Sequence, residues 1–219
     1  MLKAENLYQY YSSLCNLSCR YCYADEGSYG NESTRKNMSL ETLQNTIKNI
    51  LDIFPNGIKY IQFFGGEPLI NKSFMLNCIP IINGIYESKK LTLPLYTIVT
   101  NGTLINDEYI ELFNNYFESV TISLDGERNI NDHNRIYSDS EESVFDNVTE
   151  SIKAMKERSF YLGTEGTITR LHIQNFKENN QIKSYETLST LDLDYIHIAP
   201  MIDSKNEFLS LCNEKVIGL

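Results

Sequence analysis

The sequence is short of several things, and each shortage closes off a class of protein. No apolar run approaches the roughly 20 residues a membrane-spanning helix needs, and the start, Met1-Leu2-Lys3-Ala4-Glu5-Asn6, lacks the apolar stretch of a secretory signal. Basic residues are outnumbered, 19 Lys and Arg against 29 Asp and Glu, giving a formal net charge of −10. A chain so acidic lacks the positive surface that phosphate backbones require, so neither nucleic acid nor membrane is the expected partner. Disorder is excluded by 42% hydrophobic and 11% aromatic residues with 22% charged. The five cysteines are odd in number and three of them fall between Cys15 and Cys22. That pattern argues against a disulfide framework and for metal or redox work in a reducing, cytoplasmic setting. Length sets the last limit. At 219 residues the chain falls short of the about 250 that a complete eight-unit (β/α) barrel takes.

What is present is alternation. Short runs rich in β-branched and aromatic residues, at 7–13, 58–64, 95–100, 119–124, 160–169 and 193–199, are separated by segments of helical spacing at 39–51, 73–88, 107–115, 143–158 and, more weakly, 185–190. Residues 127–142 read as a charged loop. Six strands alternating with helices imply right-handed crossovers and a parallel sheet, an α/β fold. The segments Cys15–Cys22, Gly65–Pro68, Thr100–Gly102 and Ser123–Gly126 each follow the carboxyl end of a strand. Parallel α/β folds build their ligand sites along that edge, so the four are expected to converge.

The first of these segments, Cys15-Asn16-Leu17-Ser18-Cys19-Arg20-Tyr21-Cys22, has the spacing C-x3-C-x2-C. Three thiolates on one short loop can each hold one iron of a cubane 4Fe-4S cluster, leaving the fourth iron open to a small molecule. The alternative is a structural zinc loop, which needs a fourth ligand from His133, His172 or His197, none of them locally spaced for it.

With the aromatic Tyr21 before the last cysteine, this loop resembles the signature of the radical S-adenosylmethionine enzymes. Gly65-Gly66-Glu67-Pro68 is similar to their GGEP motif, and Thr100-Asn101-Gly102-Thr103, Ser123-Leu124-Asp125-Gly126 and Ile130-Asn131-Asp132-His133-Asn134-Arg135 resemble segments of the peptide- and protein-modifying branch. Asn131 stands where that branch has His. The resemblance implies an open partial (β/α)6 TIM-like barrel with Cys15, Cys19 and Cys22 on a 4Fe-4S cluster. It implies S-adenosylmethionine bound by Tyr21, Gly65, Gly66, Glu67, Pro68, Asn101, Ser123 and Arg135. Within that set, Glu67 offers its carboxylate to the ligand's ammonium, Asn101 and Ser123 line the ribose and methionine parts, and Arg135 grips the carboxylate. For Asp125, turn chemistry and a ligand role stand open side by side. His133 falls at a variable position and reads as surface. Glu165, Thr167, Thr169 and His197 lie on late strands, where a satisfied core role is the default.

The implied activity is reductive cleavage of S-adenosylmethionine and hydrogen abstraction from a peptide or protein. Flavodoxin or ferredoxin is the implied electron donor. Phe63-Phe64 before the glycines, Tyr21-Cys22-Tyr23-Ala24 and Gly27-Ser28-Tyr29-Gly30 are more similar to thioether-forming peptide maturases than to sulfatase maturases. Cys78 sits in a helical apolar pattern and reads as core. After Pro200 only Cys212 remains, too few cysteines for an auxiliary cluster. The expected organisation is a core over 1–200 and a short tail over 201–219, without an auxiliary-cluster domain or a leader-binding module. A cluster-binding chain that depends on a partner for substrate turnover is the competing expectation.

Overall fold

The computed structural model describes residues 6–26, 36–179 and 183–201. The Gly27–Gly30 segment, Cys212 and the tail beyond Met201 lie outside the described residues. Six strands, Asn6–Ser12 (β1), Tyr60–Gly65 (β2), Leu95–Thr100 (β3), Phe117–Ser123 (β4), Tyr161–Ile168 (β5) and Tyr195–Pro200 (β6), pair in sequence order, every neighbour parallel. The sheet curls into an α/β half-barrel, as the alternation requires.

Helices Leu40–Ile53 (α1), Lys72–Ser88 (α2), Asp107–Tyr116 (α3), Arg128–Asn134 (α4), Val144–Ala154 (α5), Arg170–Asn179 (α6) and Lys183–Ser189 (α7) complete the chain. Their starts are chemically marked. Ser39, Asn106 and Ser143 cap α1, α3 and α5 by accepting the N–H of Thr42, Tyr109 and Asp146. Leu43, Ile47 and Leu51 of α1, spaced by four, share one buried face. On β2 and β3, alternate residues Ile61, Phe63 and Ile98 point into the same core, and Val120, Ile122 and Leu162 extend it across β4 and β5. The opposite face of the sheet is the concave one. It carries Tyr8, Tyr60, Gln62 and Thr97 low on the strands, around a second, smaller hollow.

Several boundaries depart from the sequence pattern for identifiable reasons. β2 begins at Tyr60 rather than residue 58 because the Ile58 N–H donates to the Tyr86 hydroxyl. The charged loop expected over 127–142 contains α4. Its composition, Arg-Asn-Ile-Asn-Asp-His-Asn, is poor in helix formers, and the helix is held by burial of Ile130, Asn131 and Asn134. α6 is a second helix that the apolar pattern does not announce; among its described side chains Ile173 is the buried one.

Candidate active site

The cysteine loop leaves β1 and is held on three sides. Gly66 N–H donates to Ser12 O at 2.7 Å and Glu67 N–H to Leu14 O at 2.7 Å. On the far side Ser18 N–H reaches Ile136 O and Arg20 N–H reaches Asn134 O, each at 2.8 Å. Asn16 ties the loop to the segment after β3, donating to Thr103 Oγ1 and accepting from Asn101 Nδ2, both at 2.9 Å. The paired glycines are required by this packing. Gly65 has φ +152°, and a Cβ there would lie 2.4 Å from Ser12 O; a Cβ on Gly66 would lie 2.3 Å from Leu14 O.

Cys15, Cys19 and Cys22 all face one cavity of about 300 Å³ at the carboxyl edge of the strands, the size range of small-molecule sites. Gly65, Gly66, Asn101, Ser123, Tyr21 and Arg135 line it as expected. None of the three cysteines is in a disulfide. Burial pushes the Cys15 thiol up to about 12 and the Cys19 thiol up to about 11, so a metal bound there would have to displace their protons. Cys15 and Cys22 each accept a neighbouring backbone N–H, from Leu17 at 3.5 Å and Glu26 at 3.3 Å.

Among the described residues, no three His, Cys, Asp or Glu converge on a single-ion site. A lone zinc needs its ligands on one point, whereas a cubane spreads three thiolates over three irons. Two of the three histidines are also engaged elsewhere. His133 is exposed, as expected. His197 pairs with Glu165 at 3.4 Å. His172 accepts the Thr169 N–H at Nδ1, at 3.0 Å, which leaves Nε2 to donate to Asp125 O at 2.8 Å.

Glu67 and Pro68 are the predicted residues the structure does not bring to the cavity wall. Pro68 starts a buried 3-10 turn. Glu67 is 1% exposed, and its carboxylate accepts Leu69 N–H at 2.9 Å, Thr100 Oγ1 at 2.7 Å and Asn101 N–H at 2.6 Å. The expected contact with a ligand's ammonium is therefore replaced by a structural one: the carboxylate joins the turn after β2 to the turn after β3. Burial raises its pKa to about 7, opposed by the three hydrogen bonds.

Asp125 is the residue the motif reading left open, and the structure makes it a hub. It is 3% exposed and accepts the Tyr21 hydroxyl on both oxygens, at 2.8 and 2.7 Å, Arg135 Nη2 at 3.1 Å, Asn134 Nδ2 at 3.3 Å and Thr167 N–H at 3.0 Å. Its own N–H goes to Oδ1 of the fully buried Asn131 at 3.1 Å, which gives the departure from His a structural reason. Arg135 is 7% exposed, and its Nε is a buried donor with no partner. Burial opposes the guanidinium charge, but Asp125, Tyr21 and Cys19 together outweigh it and raise the pKa.

Sequence reasoning missed part of the wall. Thr100, Glu165, Thr167, Ala199, Pro200 and Met201 all line the cavity. The core role expected of Glu165 and Thr167 fails because both occupy alternate, inward positions near the end of β5, and that alternation was the available signal. His197 is exposed at the same level of β6. Thr169 is buried as expected.

A parallel half-barrel with three unpaired cysteines and a small-molecule cavity at its carboxyl edge defines a class of metal-dependent barrel enzymes. The chain belongs to the Radical SAM superfamily, whose family model matches residues 10–182. With that membership go radical chemistry and the two cofactors, a 4Fe-4S cluster and S-adenosylmethionine.

The chain is 29% identical over 204 residues to an uncharacterized protein of Methanocaldococcus jannaschii, covering 90% of this chain and 67% of that one. It is 30% identical over 184 residues to the radical SAM cyclopropyl synthase TigE of Paramaledivibacter caminithermalis, covering 80% of this chain and 37% of the relative. A GTP 3',8-cyclase of Clostridium perfringens is 25% identical over 207 residues, covering 94% of this chain and 58% of the cyclase. The structure of native anSMEcpe with bound AdoMet superposes with a TM-score of 0.75 at 23% identity, over 92% of this chain and 52% of that one, a likeness of fold. The chain thus spans between about a third and two thirds of the length of these proteins.

Proposed function

We propose that Cys15, Cys19 and Cys22 hold three irons of the cluster, that S-adenosylmethionine occupies the adjoining cavity, and that the substrate is a peptide or protein. The observation that carries this reading is the convergence of the three thiols with the turns after β2, β3 and β4 on one cavity. When bound, the cluster would supply the one electron that reductive cleavage of S-adenosylmethionine needs, and the cleaved cofactor would supply the hydrogen-abstracting power.

The chain's own residues hold and aim these partners. Gly65 and Gly66 present backbone without side chains to the ligand. The unpartnered Nε–H of Arg135 fits a carboxylate, and Asn101 and Ser123 offer polar contacts to ribose and methionine. Glu67 and Pro68 act behind the wall, keeping the glycine turn in place. The substrate enters between the cysteine loop and the ends of β5 and β6, where Glu165 and Thr167 face it.

The peptide reading is supported by the likeness to a cysteine-type anaerobic sulfatase-maturating enzyme of Clostridium novyi, 27% identical over 198 residues, covering 90% of this chain and 50% of that one, and thioether formation is the specific reaction proposed. The likeness to a GTP 3',8-cyclase favours a second reading, a small-molecule substrate. The core over 1–200 is proposed as the catalytic unit, cytoplasmic, with flavodoxin or ferredoxin as donor and a partner chain for substrate recognition. No helix among the described residues is long and apolar enough to cross a membrane. The test is anaerobic turnover with a strong reductant. Release of 5′-deoxyadenosine and methionine, stimulated by a cysteine-rich peptide that loses hydrogen to the nucleoside, supports the peptide reading. Stimulation by GTP instead supports the second reading, and no cleavage under any condition sinks both.

A further inference from the structure

Beside the cysteine loop the chain buries a complete ion pair, with the Arg135 side chain 8% and the Asp125 side chain 0% exposed. Such a pair is a poor source of stability, because desolvation takes back most of the Coulomb attraction. Its place in the fold points to a different purpose. Tyr21, which precedes Cys22 and follows Cys19 by two residues, donates its hydroxyl to Asp125, and the Arg135 guanidinium lies 5.4 Å from the centre of the Tyr21 ring. Cys15 and Cys22 receive backbone N–H donors. Arg135 lines the cavity that Cys15, Cys19 and Cys22 face, whereas the fully buried Asp125 side chain is not part of that lining. The pair therefore turns its positive end to the cavity of the three cysteines.

Resting on the reading of Cys15, Cys19 and Cys22 as cluster ligands, we propose that the Tyr21–Asp125–Arg135 network sets the reduction potential of the cluster. Adding one electron makes the cluster and its thiolates one charge more negative. A cation held at the wall of the cluster's cavity favours the reduced state, and a carboxylate behind it cancels part of that effect. Asp125 is thus a positioning residue. It fixes the guanidinium against the cysteine loop and limits its charge there, and through the Thr167 N–H it ties that setting to β5, the strand on the substrate side.

The test is an EPR-monitored redox titration of the anaerobically reconstituted full chain, comparing wild type with Asp125→Asn, Arg135→Met and the double variant. The midpoint is expected to rise in Asp125→Asn, where the cation loses its counter-charge, and to fall in Arg135→Met. In the double variant it is expected to lie between Asp125→Asn and Arg135→Met, because the cation and the carboxylate are then both gone. An unchanged or lowered midpoint in Asp125→Asn overturns the proposal, as does a double variant that keeps the raised value. If Asp125→Asn fails to load iron, Arg135→Met against Arg135→Lys decides the same point: the midpoint falls with Met and holds with Lys, and equal midpoints overturn it. A wild type that binds no iron overturns the ligand reading itself, and this inference with it. Iron bound with midpoints that do not move overturns this inference alone.

Discussion

Glu67 makes a stability prediction of unusual direction. Its carboxyl, ordinarily near 4.5, stands at about 7 in the fold because burial outweighs the three donors that face it. Between those two values the folded chain binds the proton and the unfolded chain does not, so stability falls as pH rises through the window. At roughly 1.4 kcal/mol per pH unit, ionising this group in place costs about 3 kcal/mol by pH 8. Glu67→Gln removes the titration. Its single carbonyl can still accept Leu69 N–H and Thr100 Oγ1, but its NH2 meets Asn101 N–H donor to donor, an offset of about 1 to 3 kcal/mol that does not change with pH. The assay is urea unfolding of the iron-free protein under reducing conditions from pH 5 to pH 8. The stability of wild type relative to the variant is expected to drop by about 2.5 kcal/mol across that range. Parallel curves would refute the reasoning, and a wild type that gains on the variant with pH would show that the three donors outweigh burial.

Three further substitutions separate loop geometry from general packing. Gly66→Ala forces a Cβ against Leu14 O and is expected to cost about 1 to 3 kcal/mol and to lower iron retention after reconstitution, read by iron assay beside thermal melting. Cys78→Ala, in the fully buried side of α2, is expected to cost about 1 kcal/mol and to leave iron content at the wild-type value; iron lost in proportion would make Cys78 a ligand. Asn131→Leu strips the acceptor from Asp125 N–H and is expected to destabilise by about 1 to 3 kcal/mol, measured by urea unfolding; a neutral result would mean that water replaces the amide.

Much of this fold is legible in the sequence because the strands announce themselves by alternation and the turns by Gly, Asn and Pro. β3 falls at Leu95–Thr100, as the pattern predicts. The convergence of four distant loops on one edge follows from the parallel order alone. What the sequence does not show is which way a motif side chain turns. Glu67 reads as a ligand contact, yet the backbone N–H groups of Leu69 and Asn101 capture it. Asp125 reads equally as half of a turn dipeptide and as a ligand contact, and its hub role depends on Tyr21, Arg135 and Thr167, partners from 10 to 104 positions away. α4 is hidden because its buried face holds one apolar residue, Ile130, beside Asn131 and Asn134, so no apolar periodicity can flag it.

The account rests on three thiols sharing one metal cluster, and metal analysis tests that most directly. Iron and acid-labile sulfide are measured on the anaerobically reconstituted protein beside Cys15→Ala/Cys19→Ala/Cys22→Ala. The expected result is about four irons and four sulfides per chain, as a cubane requires, all lost together in the triple variant. One zinc per chain, or iron that survives loss of the three cysteines, would contradict it.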